Sequence, residues 1–189
     1  KPLLINELKL IINAINKENL KPIKKNRNKA LVLIGFAGGF RRSELVSIDF
    51  HDLEFVLEGV KIFVKRSKTD QSGEGMIKAI PYFDNKEYCP VLNLQEWITI
   101  SGIKSGKIFP ISDKSVALII KKFAALAGLD QQKYSGHSLR SGFATSTAES
   151  GAEERNIMAM TGHKTTQMVR RYIQEANLFK NNALNKIKI

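Results

Sequence analysis

The sequence predicts a mostly helical α+β domain with a small antiparallel β-sheet or hairpin at about residues 53–82. Three observations carry this. Apolar residues recur at helical spacing through most of the 189 residues. One stretch, Leu53 to Pro81, switches to β-rich runs around a polar, Gly-containing turn. A hydrophobic content of 43% is enough for a core. No repeat, low-complexity tract or linker interrupts the chain, so residues 1–189 read as a single domain.

Leu3 to Asn16 carries Leu4, Leu8, Ile11, Ile12 and Ile15 on one helical face. "KENLKPIKKNRNK" breaks the pattern at Pro22 and reads as a basic loop, either solvated or in contact with phosphate. "ALVLIGFAGGF" then resumes as a buried helix. "EFVLEGVKIFVKRSKT" and "MIKAIPYF" are the strands, separated by "DQSGEG". Helices follow in "PVLNLQEWITISG", in "SDKSVALIIKKFAALAGL" (Ser112 or Asp113 as cap, Gly128 as stop), in "GHSLRSGFATSTAESG" and in "AEERNIMAMTG". A last helix holds Tyr172, and residues 180–189 form a polar, Lys-rich tail.

Thirty Lys and Arg against eighteen Asp and Glu give a net charge of +12, which points to a polyanionic partner. The lone Cys89 excludes an intramolecular disulfide and a multi-cysteine zinc site, and fits a reducing, cytoplasmic setting. No apolar run reaches the roughly 18 residues that cross a bilayer, and the N-terminus lacks the features of a signal peptide. The first residue is Lys1 and not Met, so the chain is expected to be a piece of a longer one.

Three stretches carry chemistry. "GGFRRSEL" presents Arg41 and Glu44 just after a buried helix, a pattern that also suits an ordinary helix start with a capping-type glutamate. "GHSLRSGFAT" puts His137 and Arg140 three residues apart, on one helical face. "TGHKTTQMVRRYIQEANLF" places His163 before a helix, where an anion is favoured, and Tyr172 nine residues later beside Arg171. The remaining histidine, His51, has no such company and reads as structural. There is no His-x-x-x-His and no cysteine nearby, and arginines repel a cation, so no metal or cofactor is expected.

Arginines, histidines and a tyrosine suit attack on a phosphodiester. Planar guanidiniums hold the charge that grows on the phosphoryl oxygens. Neighbouring cations favour a phenolate, which makes a tyrosine in their midst a plausible nucleophile. A lysine on the hairpin would protonate the leaving oxygen.

In their order and spacing these stretches resemble the tyrosine recombinases, or phage-type integrases, over essentially the whole chain. "GFRRSEL" resembles the first arginine box and implies Arg41 as a catalytic arginine with Glu44 in support. "HSLR" resembles the second box and implies His137 and Arg140, "TGH" implies His163, and Tyr172 stands at the nucleophile's interval. "RSKTD" resembles the hairpin version that makes Lys68 the proton donor, with Lys65 and Lys78 as alternatives. The resemblance implies the family's catalytic-domain fold, cleavage through a 3′-phosphotyrosyl link without metal or ATP, and double-stranded DNA as partner. Lys24, Lys25, Arg27, Arg42, Lys164 and Arg171 are candidate phosphate contacts. It further implies a core-binding domain upstream of this chain, a homo-oligomer that is tetrameric on DNA and monomeric when free, accessory DNA-bending or directionality proteins, and a setting in the prokaryotic cytoplasm or nucleoid. Leu178, Phe179, Leu184 and Ile187 give the tail apolar contacts, either for exchange between subunits or for folding back on its own domain. Two rival functions remain open: type IB topoisomerase-like relaxation, and a non-catalytic DNA-binding regulator derived from an integrase.

Overall fold

The computed structural model describes residues 1–65, 75–162, 165–177 and 183–186, with backbone alone at 175, 176 and 183. Within these, the chain runs α1 (Ile5–Lys17), α2 (Pro22–Ala37), α3 (Arg42–Ser47), β1 (Leu53–Val56), β2 (Gly59–Val64) and β3 (Met76–Pro81). It continues through α4 (Pro90–Ser101), α5 (Asp113–Leu126), α6 (Gly136–Glu149), α7 (Glu154–Thr161) and α8 (Thr166–Asn177). The α+β class and the sheet inside 53–82 are as the sequence predicts.

Helix α2 is the centre of the molecule. Every residue from Ala30 to Phe40 is buried, because α1, α3, α4, α5 and α6 all pack against this helix. A helix apolar on all sides is what such a position requires. Two glycines allow close approach, Gly35 between α2 and α6 and Gly142 between α6 and the N-terminal segment. A Cβ on Gly35 would lie 2.7 Å from Leu139 Cδ1, and one on Gly142 would lie 2.0 Å from the Leu3 carbonyl oxygen. The N-terminal segment closes over the same face, with the Leu3 N–H donating to the Ser138 carbonyl at 3.0 Å.

One expectation fails here. The basic stretch after Pro22 is not a loop: α2 begins at Pro22 itself, and Lys24, Lys25 and Arg27 stand in its first turns. Proline fits the first helical position because the N–H it lacks has no partner there. Lys25 donates to the Asn16 carbonyl at 2.8 Å, tying down the C-terminus of α1.

The sheet is an antiparallel meander in the order β1-β2-β3, with Ile62 of β2 paired to Leu53 on one side and to Lys78 on the other. Val60, Ile62 and Val64 turn inward and are buried, and Lys78 and Ile80 of β3 share that face. The predicted cap of α5 holds, with Ser112 Oγ accepting the Ser115 N–H at 3.2 Å. Trp97 of α4 donates to the Ile108 carbonyl at 2.8 Å. Helix α8 lies on a smaller apolar cluster of Ala144, Ala148, Ile157 and Val169, against which Tyr172 and Ile173 pack. Among the described residues, no helix is long and apolar enough to cross a membrane.

Candidate active site

Helix α2 ends in a tight reversal in which the Phe40 N–H donates to the Gly35 carbonyl at 3.1 Å and Gly39 adopts φ +55°. That left-handed turn is a common helix stop and one that glycine takes without strain. It delivers Arg41 to the start of α3. There Glu44 Oε2 accepts the Arg41 N–H at 2.9 Å and Oε1 accepts Arg41 Nη1 at 2.6 Å. Glu44 is 6% exposed, whereas Arg41 keeps 40% of its side-chain surface. The carboxylate thus caps the helix and aims the guanidinium at once. Burial pushes the Glu44 pKa up, but the Arg41 N–H, the Lys78 ammonium and the Arg41 guanidinium outweigh it and hold Glu44 below the ordinary carboxylate value.

Helix α6 supplies the second cluster. Ser135 and Ser138 cap its first turn reciprocally, the Ser135 N–H donating to Ser138 Oγ at 3.0 Å and the His137 N–H to Ser135 Oγ at 3.3 Å. Arg140, one turn on, is 2% exposed. Its Nη1 donates to the carbonyls of Gly39, at 3.0 Å, and Thr161, while its buried Nη2 has no hydrogen-bond partner among the described residues. A buried guanidinium nitrogen left open in this way is costly, and it is the group that an incoming phosphate oxygen would satisfy. Burial lowers the Arg140 pKa to about 10 with Arg41 adding to the fall and Glu44 and Tyr172 opposing it, so Arg140 stays charged at neutral pH.

His137 lies beside these cations. Burial comes first, then Arg140, with Arg41 and Arg42 contributing, and together they hold the imidazole below its ordinary value. It is neutral at pH 7 and free to accept a proton. His137, Ser138 and Ser141 of α6 and Met168, Arg171 and Tyr172 of α8 line a cleft of about 350 Å³. Tyr172 is half-buried, its ring held by the α6–α7–α8 cluster. Arg42 joins from α3: a Cβ on Gly136 would sit 2.0 Å from Arg42 Cδ, so the arginine stem lies directly over the start of α6.

The structure therefore brings together Arg41, Arg42, Glu44, His137, Arg140, Arg171 and Tyr172 from α3, α6 and α8. Lys24, Lys25 and Arg27 are not among them. They occupy the far end of α2, roughly 20 Å along its axis from Gly38. Lys68, His163 and Lys164 lie outside the described residues. His51 is exposed and sits edge-on to Phe50, away from this cluster. Among the described residues, no His, Cys, Asp and Glu group suits a metal ion.

Two hairpin alternatives to Lys68 are resolved differently. Lys65 pairs with Asp52 at 3.2 Å and is 60% exposed. Lys78 is fully buried, its Nζ donating to the carbonyls of Gly38 and Met160 at 2.6 Å each, with Gly39 at 3.5 Å and the Phe40 ring centroid at 4.5 Å. A side chain so enclosed cannot reach a leaving oxygen on DNA. Burial brings its pKa down to about 7, against the pull of Glu44 and with Arg140 and Arg41 adding to the fall. Sequence reasoning weighed Lys78 only as a proton donor and missed this anchoring role. The signal was present in the strand alternation, which turns Met76, Lys78 and Ile80 to the same side as Val60, Ile62 and Val64.

Two arginines, an imidazole and a phenol thus converge on a mostly helical domain with a three-stranded sheet, an arrangement of groups suited to holding an anionic ester. The chain belongs to the phage integrase family, whose match covers residues 2–178. It is 46% identical over 198 residues to an integrase/recombinase xerD homolog of Selenomonas ruminantium, covering 98% of this chain and 57% of that protein. It is 28% identical over 167 residues to the tyrosine recombinase XerD of Staphylococcus saprophyticus, covering 86% and 56%. The chain thus spans little more than half the length of these curated relatives. Its fold matches XerH site-specific recombinase in a post-cleavage complex with palindromic difH substrate (TM-score 0.78, 19% identity, 98% of this chain and 53% of that one). It also matches the catalytic domain of bacteriophage HP1 integrase (TM-score 0.61, 20% identity), there covering 99% of this chain and 98% of the solved one.

Proposed function

We propose that this chain is the catalytic domain of a site-specific DNA recombinase, which cuts and rejoins double-stranded DNA through a 3′-phosphotyrosyl intermediate. The observation that carries the reading is the cleft that His137 and Tyr172 both line, together with Arg140, one turn along α6 from His137, whose buried Nη2 has no hydrogen-bond partner among the described residues. Family membership and the recombinase names of the relatives agree with it.

In this mechanism Arg41 and Arg140 hold the non-bridging oxygens of the scissile phosphate and stabilise the charge of the five-coordinate transition state. Tyr172 Oη attacks phosphorus, and neutral His137 assists removal of the phenol proton. The Tyr–phosphate bond forms as the bond to the 5′ oxygen breaks, and Lys68 gives that oxygen its proton. A 5′ hydroxyl of a partner strand then attacks the phosphotyrosine and restores both Tyr172 and the DNA backbone. His163 hydrogen-bonds a non-bridging oxygen. No metal or cofactor takes part.

The rest of the assembly is proposed on the same footing. The domain works in a tetramer on DNA, in the prokaryotic cytoplasm or nucleoid, with a core-binding domain completing the clamp. Residues 180–189 pass to a neighbouring subunit. An apolar cleft of about 740 Å³ lined by Phe36, Ile80, Phe83, Tyr88, Phe143 and Met160 offers them a seat.

The test is strand exchange between two differently labelled duplexes carrying the sequences that flank the gene. Joined products of hybrid length support the recombinase. Relaxation of supercoiled DNA without exchange would replace it by a topoisomerase, and binding without cleavage by a DNA-binding regulator.

A further inference from the structure

Lys78 and Arg140 share one construction. Gly38 and Gly39 follow the last turn of α2, and Met160 and Thr161 close α7. Lys78 Nζ donates to the first carbonyl of each pair, Gly38 and Met160, and Arg140 Nη1 donates to the second, Gly39 and Thr161. Two helix C-termini therefore point at each other, each carrying partial negative charge and carbonyls that no helical N–H can reach. Left alone they would repel. Two buried basic side chains lie between them and donate to both, and Glu44 supplies the nearby negative charge.

This clamp has a geometric consequence. Arg140 reaches two carbonyls with one nitrogen only while Gly39 and Thr161 are held at the right separation, and that separation is fixed by the Lys78 bridge one residue earlier on both strands of the junction. Gly39 and Gly162 both take left-handed backbone here (φ +55° and +65°), so each chain turns away immediately after presenting its carbonyls. The α2 turn leads directly into Arg41, and β3, which carries Lys78, leads out of the hairpin.

We infer that Lys78 is a positioning residue for strand cleavage: by bridging the ends of α2 and α7 it locks Arg140 with Nη2 free for the scissile phosphate. It touches neither DNA nor the reacting atoms. The inference deepens the proposed recombinase mechanism and rests on it, and it assigns to Lys78 a duty separate from the proton donation given to Lys68.

The experiment compares wild type with Lys78→Met, which keeps length and apolar bulk and removes every donor. Both are tested on a nicked duplex that traps the covalent intermediate, at saturating DNA and well below the melting temperature. Lys78→Met should bind DNA within about twofold of wild type, because its ammonium is inaccessible, and cleave about a hundredfold more slowly, the size of effect a small misplacement of a reacting group produces. A duplex with sulfur in place of the 5′ bridging oxygen, whose thiolate leaves without a proton, should restore Lys68→Ala and leave Lys78→Met slow. Cleavage at the wild-type rate overturns the inference, and so does sulfur rescue of Lys78→Met, which would make it the proton donor. A structural role alone predicts a lower melting temperature with an unchanged rate. If wild type itself forms no adduct, the recombinase reading fails, and nitrogen-15 NMR still decides the clamp. The Arg140 Nη1 protons should be protected from exchange in wild type and lose that protection in Lys78→Met. Where that variant does not fold, the wild-type Lys78 ammonium protons should themselves be protected from exchange, free and DNA-bound. Exchange as fast as that of a surface lysine would overturn the clamp.

Discussion

Replacing Glu44 by Gln isolates the electrostatic core of the site. The side chain keeps its shape and one acceptor, but three cations, Arg41, Lys78 and Arg140, lose the carboxylate that acts on each of them. Water can replace the carboxylate at Arg41, which is 40% exposed, but does little to compensate the buried Lys78 and Arg140 beside a Glu44 that is 6% exposed. Removing one partner of a buried ion pair costs about 3–5 kcal/mol, and the retained amide places this case at about 3. For a domain of this size that lowers the melting temperature by about 6–12 °C at pH 7. The pH dependence follows from linkage. The folded-state pKa of Glu44 lies below its ordinary value, so its contribution is complete above the unfolded pKa and is lost as pH falls through the folded one. The gap between wild type and Glu44→Gln should therefore close in acid. Thermal melts followed by circular dichroism from pH 3 to pH 8 measure this. A variant that melts within about 2 °C of wild type at pH 7, or a gap that does not change with pH, would refute the reasoning.

Gly142→Ala should destabilise the domain by about 2 kcal/mol or more, since its Cβ would meet the Leu3 carbonyl oxygen at 2.0 Å; denaturant unfolding checks it. Val169→Ala removes a fully buried contact of α8 and should cost about 2 kcal/mol, read as faster proteolysis near Tyr172 than in the α2 core. For the cleavage reaction at DNA well below saturation, where groups of the free protein set the profile, the rate should rise with pH through a His137 transition lying below the ordinary histidine value. Removing a neighbouring cation by Arg42→Ala should move that transition upward, and a profile that stays put would show that Arg42 does not act on His137.

The parts of this molecule that were legible in the sequence are those set by local pattern. Helix spacing, the Ser112 cap and the β-rich segment follow from neighbours along the chain, and each appears in the fold. Arg41, His137, Arg140 and Tyr172 were readable because their boxes carry distinctive residue types at short spacing. The two readings of Glu44, helix cap and charged partner, turn out to describe one carboxylate, with Arg41 at the cap position. Pro22 was misread because a proline that stops one helix and a proline that starts the next look alike until the following residues are placed. Lys78 was misjudged for a different reason. The strand alternation shows that its side chain faces inward, but its partners are backbone carbonyls 40 and 82 residues away, groups that every residue possesses, and no side-chain pattern announces them.

The central claim is that Tyr172 becomes covalently attached to DNA. A nicked duplex bearing the gene's flanking sequence, incubated with the protein joined to its native upstream segment and stopped with detergent, should yield a protein–DNA adduct. Digestion and mass spectrometry should place the 3′-phosphate on Tyr172, and Tyr172→Phe should give no adduct. Bound DNA without an adduct, or an adduct that survives in Tyr172→Phe, would contradict the account.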